Sequence, residues 1–208
     1  ALNTRADSLS NFNRKIVGKY KAGLGLRYLA DYVGDTIIST SFQEFYRNNK
    51  LKFAKSNDFK KIVSSKTHKD ISWFFGDYLK TNKKIDYTIK KAITKGDSVY
   101  VTIKNKRNIT APVALYGLQN KEVKFKKWVT NIDSIKTIAI PKNNFNRVSL
   151  NFENSYPELN SMDNWRKIGK NILNKPIQFK IYKDINDPYY NQLYLQPNIK
   201  YNFYDGAL

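Results

Sequence analysis

The sequence has no cysteine and one histidine, His68. Lack of cysteine excludes disulfides, thiolate metal ligands and a cysteine nucleophile together. It leaves the compartment open, because a cysteine-free chain suits an oxidising envelope and a reducing cytosol alike. One histidine also excludes an HExxH pair, and any Ser/His/Asp arrangement would have to use His68. That residue stands in SKTHKD, a polar joint that reads as a solvated loop. No apolar run approaches the roughly 18 residues of a membrane-spanning helix. There is no GxxxxGK[ST] phosphate loop, and GLGL at 23–26 lies inside a helical pattern, where it reads as close packing. The opening ALNTRADSLS has neither a basic nor an apolar signal region and reads as a mature or cut end, and the abrupt finish at Gly206 is consistent with a cut boundary.

Acidic residues are scarce: 17 against 37 basic ones, a net charge of +20. Such a charge raises nucleic-acid binding through phosphate neutralisation. The basic residues argue against it. Thirty are lysine and seven arginine, whereas base and phosphate recognition favours the forked guanidinium. The lysines are spread over every segment, often alternating with apolar residues, so no nucleic-acid partner is expected. What the chain does have is 41% hydrophobic and 14% aromatic residues over 208 positions. That is enough for one large core or two small ones, and too much for a disordered tail.

The hydrophobic period changes near Lys83. Before it the spacing is helical. Ile16, Tyr20, Leu24 and Tyr28 recur every four residues, widened by Val17, Leu26, Leu29 and Val33, and Gly34 stands where a left-handed residue would end the helix. Asp35 opens a second helix with Ile38, Phe42, Phe45 and Tyr46 on one face. Ser56 opens a third with Asp58 in its first turn, and Asp70 caps a fourth whose Ile71, Phe74, Phe75 and Tyr78 form an aromatic face. After Lys83 the period falls to two: Ile85, Tyr87 and Ile89 alternate with polar residues, and a Gly96 and Asp97 turn leads to Val99, Val101 and Ile103. PVALYGL, KEVKFKKWV, SIKTIAI and RVSLNFE follow as further strands. The fold class expected is α+β: an N-terminal α-helical subdomain over 1–82, an antiparallel Ig-like β-sandwich over 83–153 with one wet face per sheet, and a β-rich tail over 154–208. In the tail, WRKIGKNIL reads as a short helix, and QLYLQPNIKYNFYDG as an edge strand of the sandwich or the first strand of a further β domain.

The order of these elements resembles the C-terminal part of M1 family zinc metallopeptidases, the aminopeptidase N-like enzymes, over roughly residues 18–152. The matching pieces are KYKAG (19–23), YVGD (32–35), FQEFY (42–46), SNDF (56–59) and ISWFFGDYL (71–79), then the sandwich run DYTIKKAITKGDSVYVTIKNK. The resemblance implies that this is the end of a gluzincin domain plus the following sandwich, walling the substrate cleft of a peptide-hydrolysing parent. It implies zinc in that parent, with the metal ligands and catalytic glutamate upstream, so no metal or cofactor ligand falls on this chain. The one catalytic residue in the matching region is a helix-opening tyrosine that donates to the developing oxyanion, and Tyr20 is its candidate. Counting back from Gly34 without a gap puts Lys19 at that position and Lys21 at the family's lysine, so Tyr20 needs a one-residue shift; the other reading of Tyr20 is packing. The tail looks like a bacterial envelope variant, which places the protein in the periplasm, outer membrane or cell surface and allows outer-membrane association, even a following barrel. Peptide or protein substrates are the expected partners. A non-catalytic cell-surface interaction module is the alternative.

Overall fold

A computed structural model describes residues 6–169 and 173–195, and the backbone of 201–202 and 206–207. The chain begins with α1 (Asn11–Lys15), which passes through a π-helical turn, Ile16–Lys21, into α2 (Ala22–Val33). Gly34 stops α2 at φ 120°, a conformation that disfavours any side chain, and α3 (Asp35–Asn49) starts at the next residue. In α4 (Ser56–Lys66) the Asp58 carboxylate accepts from the Lys55 N–H at 3.0 Å. A second π-helical turn, Phe74–Tyr78, lies in the aromatic helix that Asp70 caps by accepting from the Ser72 N–H at 2.8 Å. The expected cap at Asp70 is therefore formed, and Asp58 stands in the first turn of its helix as expected. On α3 the expected apolar face is only partly covered: Ile38 is buried, Phe42 stacks on Phe59 at 4.6 Å but keeps one side open, and Tyr46 is exposed.

The strands between Tyr87 and Lys167 form two antiparallel sheets. The first is ordered β1 (Tyr87–Lys95), β2 (Ser98–Asn105), β5 (Ile135–Pro141). The second is β4 (Glu122–Val129), β3 (Val113–Gln119), β6 (Arg147–Leu150), β7 (Trp165–Lys167). Gly96, at φ 59°, turns β1 into β2 in the register Lys95 to Ser98, and Val99, Val101 and Ile103 point inward with no solvent exposure. The molecule is thus α+β, with helices followed by antiparallel sheets. Helices and sheets share one core: Tyr28, Leu29, Trp73 and Phe74 join Tyr87, Val101, Leu115 and Val148 in a continuous cluster. Tyr28 sits at its centre. Its ring lies 4.3 Å from Tyr156 and 4.5 Å from Trp73, and its hydroxyl donates to the Pro112 carbonyl. Lys126 of β4 ties the layers at the surface, reaching Asp31 of α2 at 2.9 Å and Glu153 at 2.7 Å.

Two expectations change here. The second sheet has no wet outer face along β3: Ala114, Tyr116 and Leu118 are buried there under Trp165, with Phe152, Trp128 and Tyr189 packed alongside. The segment after Glu153 folds back over that face. Trp165–Lys167 is a strand hydrogen-bonded to β6 and not a helix, and residues 170–172 of the expected helix lie outside the described residues. Further on, β8 (Ile177–Lys180) and β9 (Asn191–Tyr194) form a separate two-stranded sheet, and it is parallel, with Phe179 opposite Leu193. Of the expected last strand, Asn191–Tyr194 pairs with β8, and residues 196–200 and 203–205 lie outside the described residues.

Candidate functional site

The two π-helical turns meet. A π turn takes one residue more than an α turn and leaves its carbonyls poorly paired, and such turns recur at functional sites. Here the Tyr78 hydroxyl, from the second turn, donates to the Lys21 carbonyl at the end of the first, at 3.1 Å. Gly25, one turn on, permits this approach: a Cβ there would lie 2.3 Å from Tyr78 Cε1. Burial pushes the Tyr78 hydroxyl up to about 12, so it stays a donor across the physiological range.

Beside this junction opens a cleft of about 330 Å³. Its helical wall carries Ile16, Tyr20, Lys21, Leu24 and Tyr78, and its other wall carries Ile85, Pro157, Glu158 and Leu159. Tyr20 is 67% exposed on the rim, with Ile16 and Leu24 each 40% exposed. Tyr20 is therefore not a core side chain. The reason is geometric. At 3.6 residues per turn, a strict four-residue stripe drifts about 40° around an α-helix at each step. Residues 16–21 are π-helical besides, so the stripe does not keep one buried face: Tyr28 reaches the core while Ile16, Tyr20 and Leu24 edge the cleft. Lys19, the other candidate for the tyrosine position, does not line the cleft.

Glu158 is the functional candidate that sequence reasoning missed. The Leu159 N–H donates to the Ile85 carbonyl at 2.9 Å and pins its loop to the entrance of β1. One carboxyl oxygen accepts from the Tyr87 N–H at 2.8 Å and the other from the Asn164 amide at 2.6 Å. The residue keeps part of its surface open to the cleft while its carboxyl oxygens are held inside. Desolvation pushes its pKa up to about 7, against the lowering effect of those two hydrogen bonds; the Asp86 and Asp163 carboxylates push the same way as desolvation. A carboxyl group that titrates near neutrality in a cleft can take or give a proton. The only signal for it in the sequence is a glutamate set among Tyr156, Pro157 and Leu159.

The remaining sequence candidates stay apart. His68 is exposed in the turn before the aromatic helix, on a different cavity with Tyr32, Trp73 and Asn131. Among the described residues no three His, Asp or Glu side chains converge to hold a metal ion, so these residues do not fit a zinc site. No helix among them is long and apolar enough to cross a membrane.

No protein-family model matches the sequence, and no curated protein matches it. Among solved structures, the chain is similar to Legionella pneumophila aminopeptidase A, solved in complex with aspartic acid, with a TM-score of 0.58 and 13% identity. The match covers 76% of this chain and 18% of that one, so the chain spans under a fifth of its neighbour's length. At this identity the likeness is one of fold alone: the helices and sheets are arranged as in part of that protein.

Proposed function

We propose that this chain is the C-terminal portion of an M1-like zinc metallopeptidase that removes N-terminal residues from peptides. In this reading the helices wall the substrate cleft, and the sandwich braces them through the shared core around Tyr28. On the same reading the zinc ligands and catalytic glutamate lie in another part of the protein; the described residues here contain no cluster that fits a metal ion. Zinc would supply a polarised water there. This chain's own contribution is Tyr20, whose hydroxyl donates a hydrogen bond to the oxyanion that develops as the peptide carbonyl is attacked.

One observation carries the Tyr20 assignment. Of the two residues that compete for the family's tyrosine position, Tyr20 lines the cleft and Lys19 does not. The experiment is Tyr20→Phe in the full-length protein. Loss of one oxyanion donor lowers kcat by roughly 10²–10³ with little change in KM. Unchanged kcat removes Tyr20 from catalysis; no aminopeptidase activity in folded, zinc-loaded protein removes the peptidase reading.

A second reading, a non-catalytic interaction module at the cell surface, has its own observation. The β8–β9 pair leaves Ile177, Phe179, Leu193 and Leu195 exposed, although parallel sheets are ordinarily covered on both faces. Full peptidase activity in a Phe179→Ser, Leu193→Ser variant that has lost surface attachment would separate the two roles.

A further inference from the structure

The cleft beside Tyr20 holds a charge imbalance. Lys21 and Lys84 both line it. Lys21 extends along the Tyr78 ring, with Nζ 5.6 Å from the ring centroid, and donates to the Thr81 carbonyl at 3.4 Å. Burial lowers the pKa of this ammonium, and the positive charge of Lys84 lowers it further. Two like charges held together at a partly desolvated place cost free energy until an anion joins them.

The neighbouring carboxyl groups do not supply that anion. Asp77 is occupied by Lys83 at 2.7 Å. Glu158 is bound by Tyr87 and Asn164. Among the described residues no carboxylate lies within ion-pair distance of Lys21 or Lys84. Ile16, Leu24, Ile85 and Leu159 make the rest of the lining mostly apolar. At about 330 Å³ the space falls at the low end of small-molecule sites.

We propose that this cleft binds a monocarboxylate bearing a compact apolar group, with the carboxylate between Lys21 and Lys84 and the apolar part against Ile16, Leu24 and Leu159. This inference does not rest on the peptidase reading, since it needs neither metal nor catalysis. The same chemistry is offered by the C-terminus of a peptide and by the head of a short acyl chain.

Two probes distinguish those sources. N-acetyl-leucine and hexanoate are each titrated against the protein beside their uncharged amides, with amide proton and nitrogen shifts at Tyr20, Lys21 and Leu159 as the readout. The carboxylates give saturable shifts, and the amides bind roughly tenfold more weakly, as expected for loss of a charge-assisted contact. Lys84→Gln weakens the carboxylates by about two- to fivefold and leaves the amides unchanged. Lys84 is exposed and, among the described residues, holds no ion pair, so its replacement does not lower the thermal transition, and relief of its repulsion with Lys21 leaves that transition level or slightly raised. Tighter N-acetyl-leucine assigns a peptide terminus; tighter hexanoate assigns an acyl chain; either supports the site. Equal affinity for acid and amide, unchanged affinity in Lys84→Gln, or no saturable shift up to about 50 mM overturns it. These outcomes are independent of whether the full protein hydrolyses peptides, so the two readings fail separately.

Discussion

Ile16, Tyr20 and Leu24 share a four-residue spacing with Tyr28, yet the first three edge an open cleft while Tyr28 has no solvent exposure. Residue type does not separate them, since Tyr20 and Tyr28 are identical. What separates them is the surface each turn of helix meets. Around Tyr28 three layers converge: Trp73 from the aromatic helix, Tyr156 from the loop after β6, and Pro112 before β3. Around Tyr20 the facing wall stands off, and the space between is the cleft. A hydrophobic period therefore specifies a helix and its apolar stripe, while the rest of the fold decides which part of that stripe becomes core and which part becomes a site.

The sharpest way to break this comparison is to truncate the buried member. Tyr28→Ala removes a ring that stacks on Tyr156 and packs at a tilt against Trp73, and leaves the Pro112 carbonyl without its donor. A loss of about 3–5 kcal/mol follows, in the range for large aromatic truncations in a core. Denaturant unfolding measures it. A loss under about 1 kcal/mol would mean that helices and sandwich are not one cooperative core around this residue.

The junction between the two regions is the next point of attack. Gly25→Ala places a methyl 2.3 Å from Tyr78 Cε1. The Tyr78 ring cannot easily yield, because it stacks on Phe74 at 5.5 Å and its hydroxyl holds the Lys21 carbonyl at 3.1 Å. Alanine ordinarily favours a helix over glycine by up to about 1 kcal/mol; here overpacking of about 1–3 kcal/mol reverses the sign. A net destabilisation in thermal unfolding, together with altered Tyr78 ring shifts, is the expected result. A net stabilisation would mean that the two π turns are not tightly joined.

Several of these features are legible in the sequence, and for physical reasons. Asp58, Asp70, Gly34 and the Gly96 and Asp97 turn act through partners a few residues away, so local pattern suffices. Val99, Val101 and Ile103 announce their face by alternation. The buried outer face of β3 had a weaker signal: VALYGL is apolar without alternation, which marks a strand covered on both sides. The π turns were not visible: the spacing at 16, 20, 24 and 28 reads as an ordinary helix, and the contact that joins the two turns spans 57 residues of sequence. Glu158 was out of reach. Its partner Tyr87 is 71 residues away, and nothing local shows that this carboxyl group lies against the start of β1.

That carboxyl group gives the comparison a pH axis. Its pKa is near 4.5 in the unfolded chain and about 7 in the folded protein, so the folded state binds the extra proton. Stability from this group is fully present below pH 4.5, falls as pH rises through about 7, and is level above that. The shift corresponds to at most about 3 kcal/mol at 1.36 kcal/mol per unit, and partial exposure reduces it to roughly 1–2 kcal/mol. Glu158→Gln has no such titration. The difference in unfolding free energy between the two proteins therefore changes between pH 5 and 8, wild type losing ground as pH rises. A constant difference over that range would mean that the Glu158 carboxyl is already ionised at pH 5 and is not held protonated by its surroundings.

The smallest stability effect belongs to the exposed member of the pair. Tyr20→Ala removes a ring that is two-thirds in water, and exposed helical positions respond within about 0.5 kcal/mol. Unfolding of Tyr20→Ala and wild type should then almost coincide, against several kcal/mol for the same change at Tyr28. The two tyrosines would have traded stability for position: one holds the layers together, the other is free to meet a ligand. If Tyr20→Ala cost as much as about 2 kcal/mol, the ring would be packed in solution and the cleft closed. A near-zero cost joined to a lost N-acetyl-leucine shift or a lowered kcat would instead assign Tyr20 to what enters the cleft, because a side chain that contributes nothing to folding has no structural route to either effect.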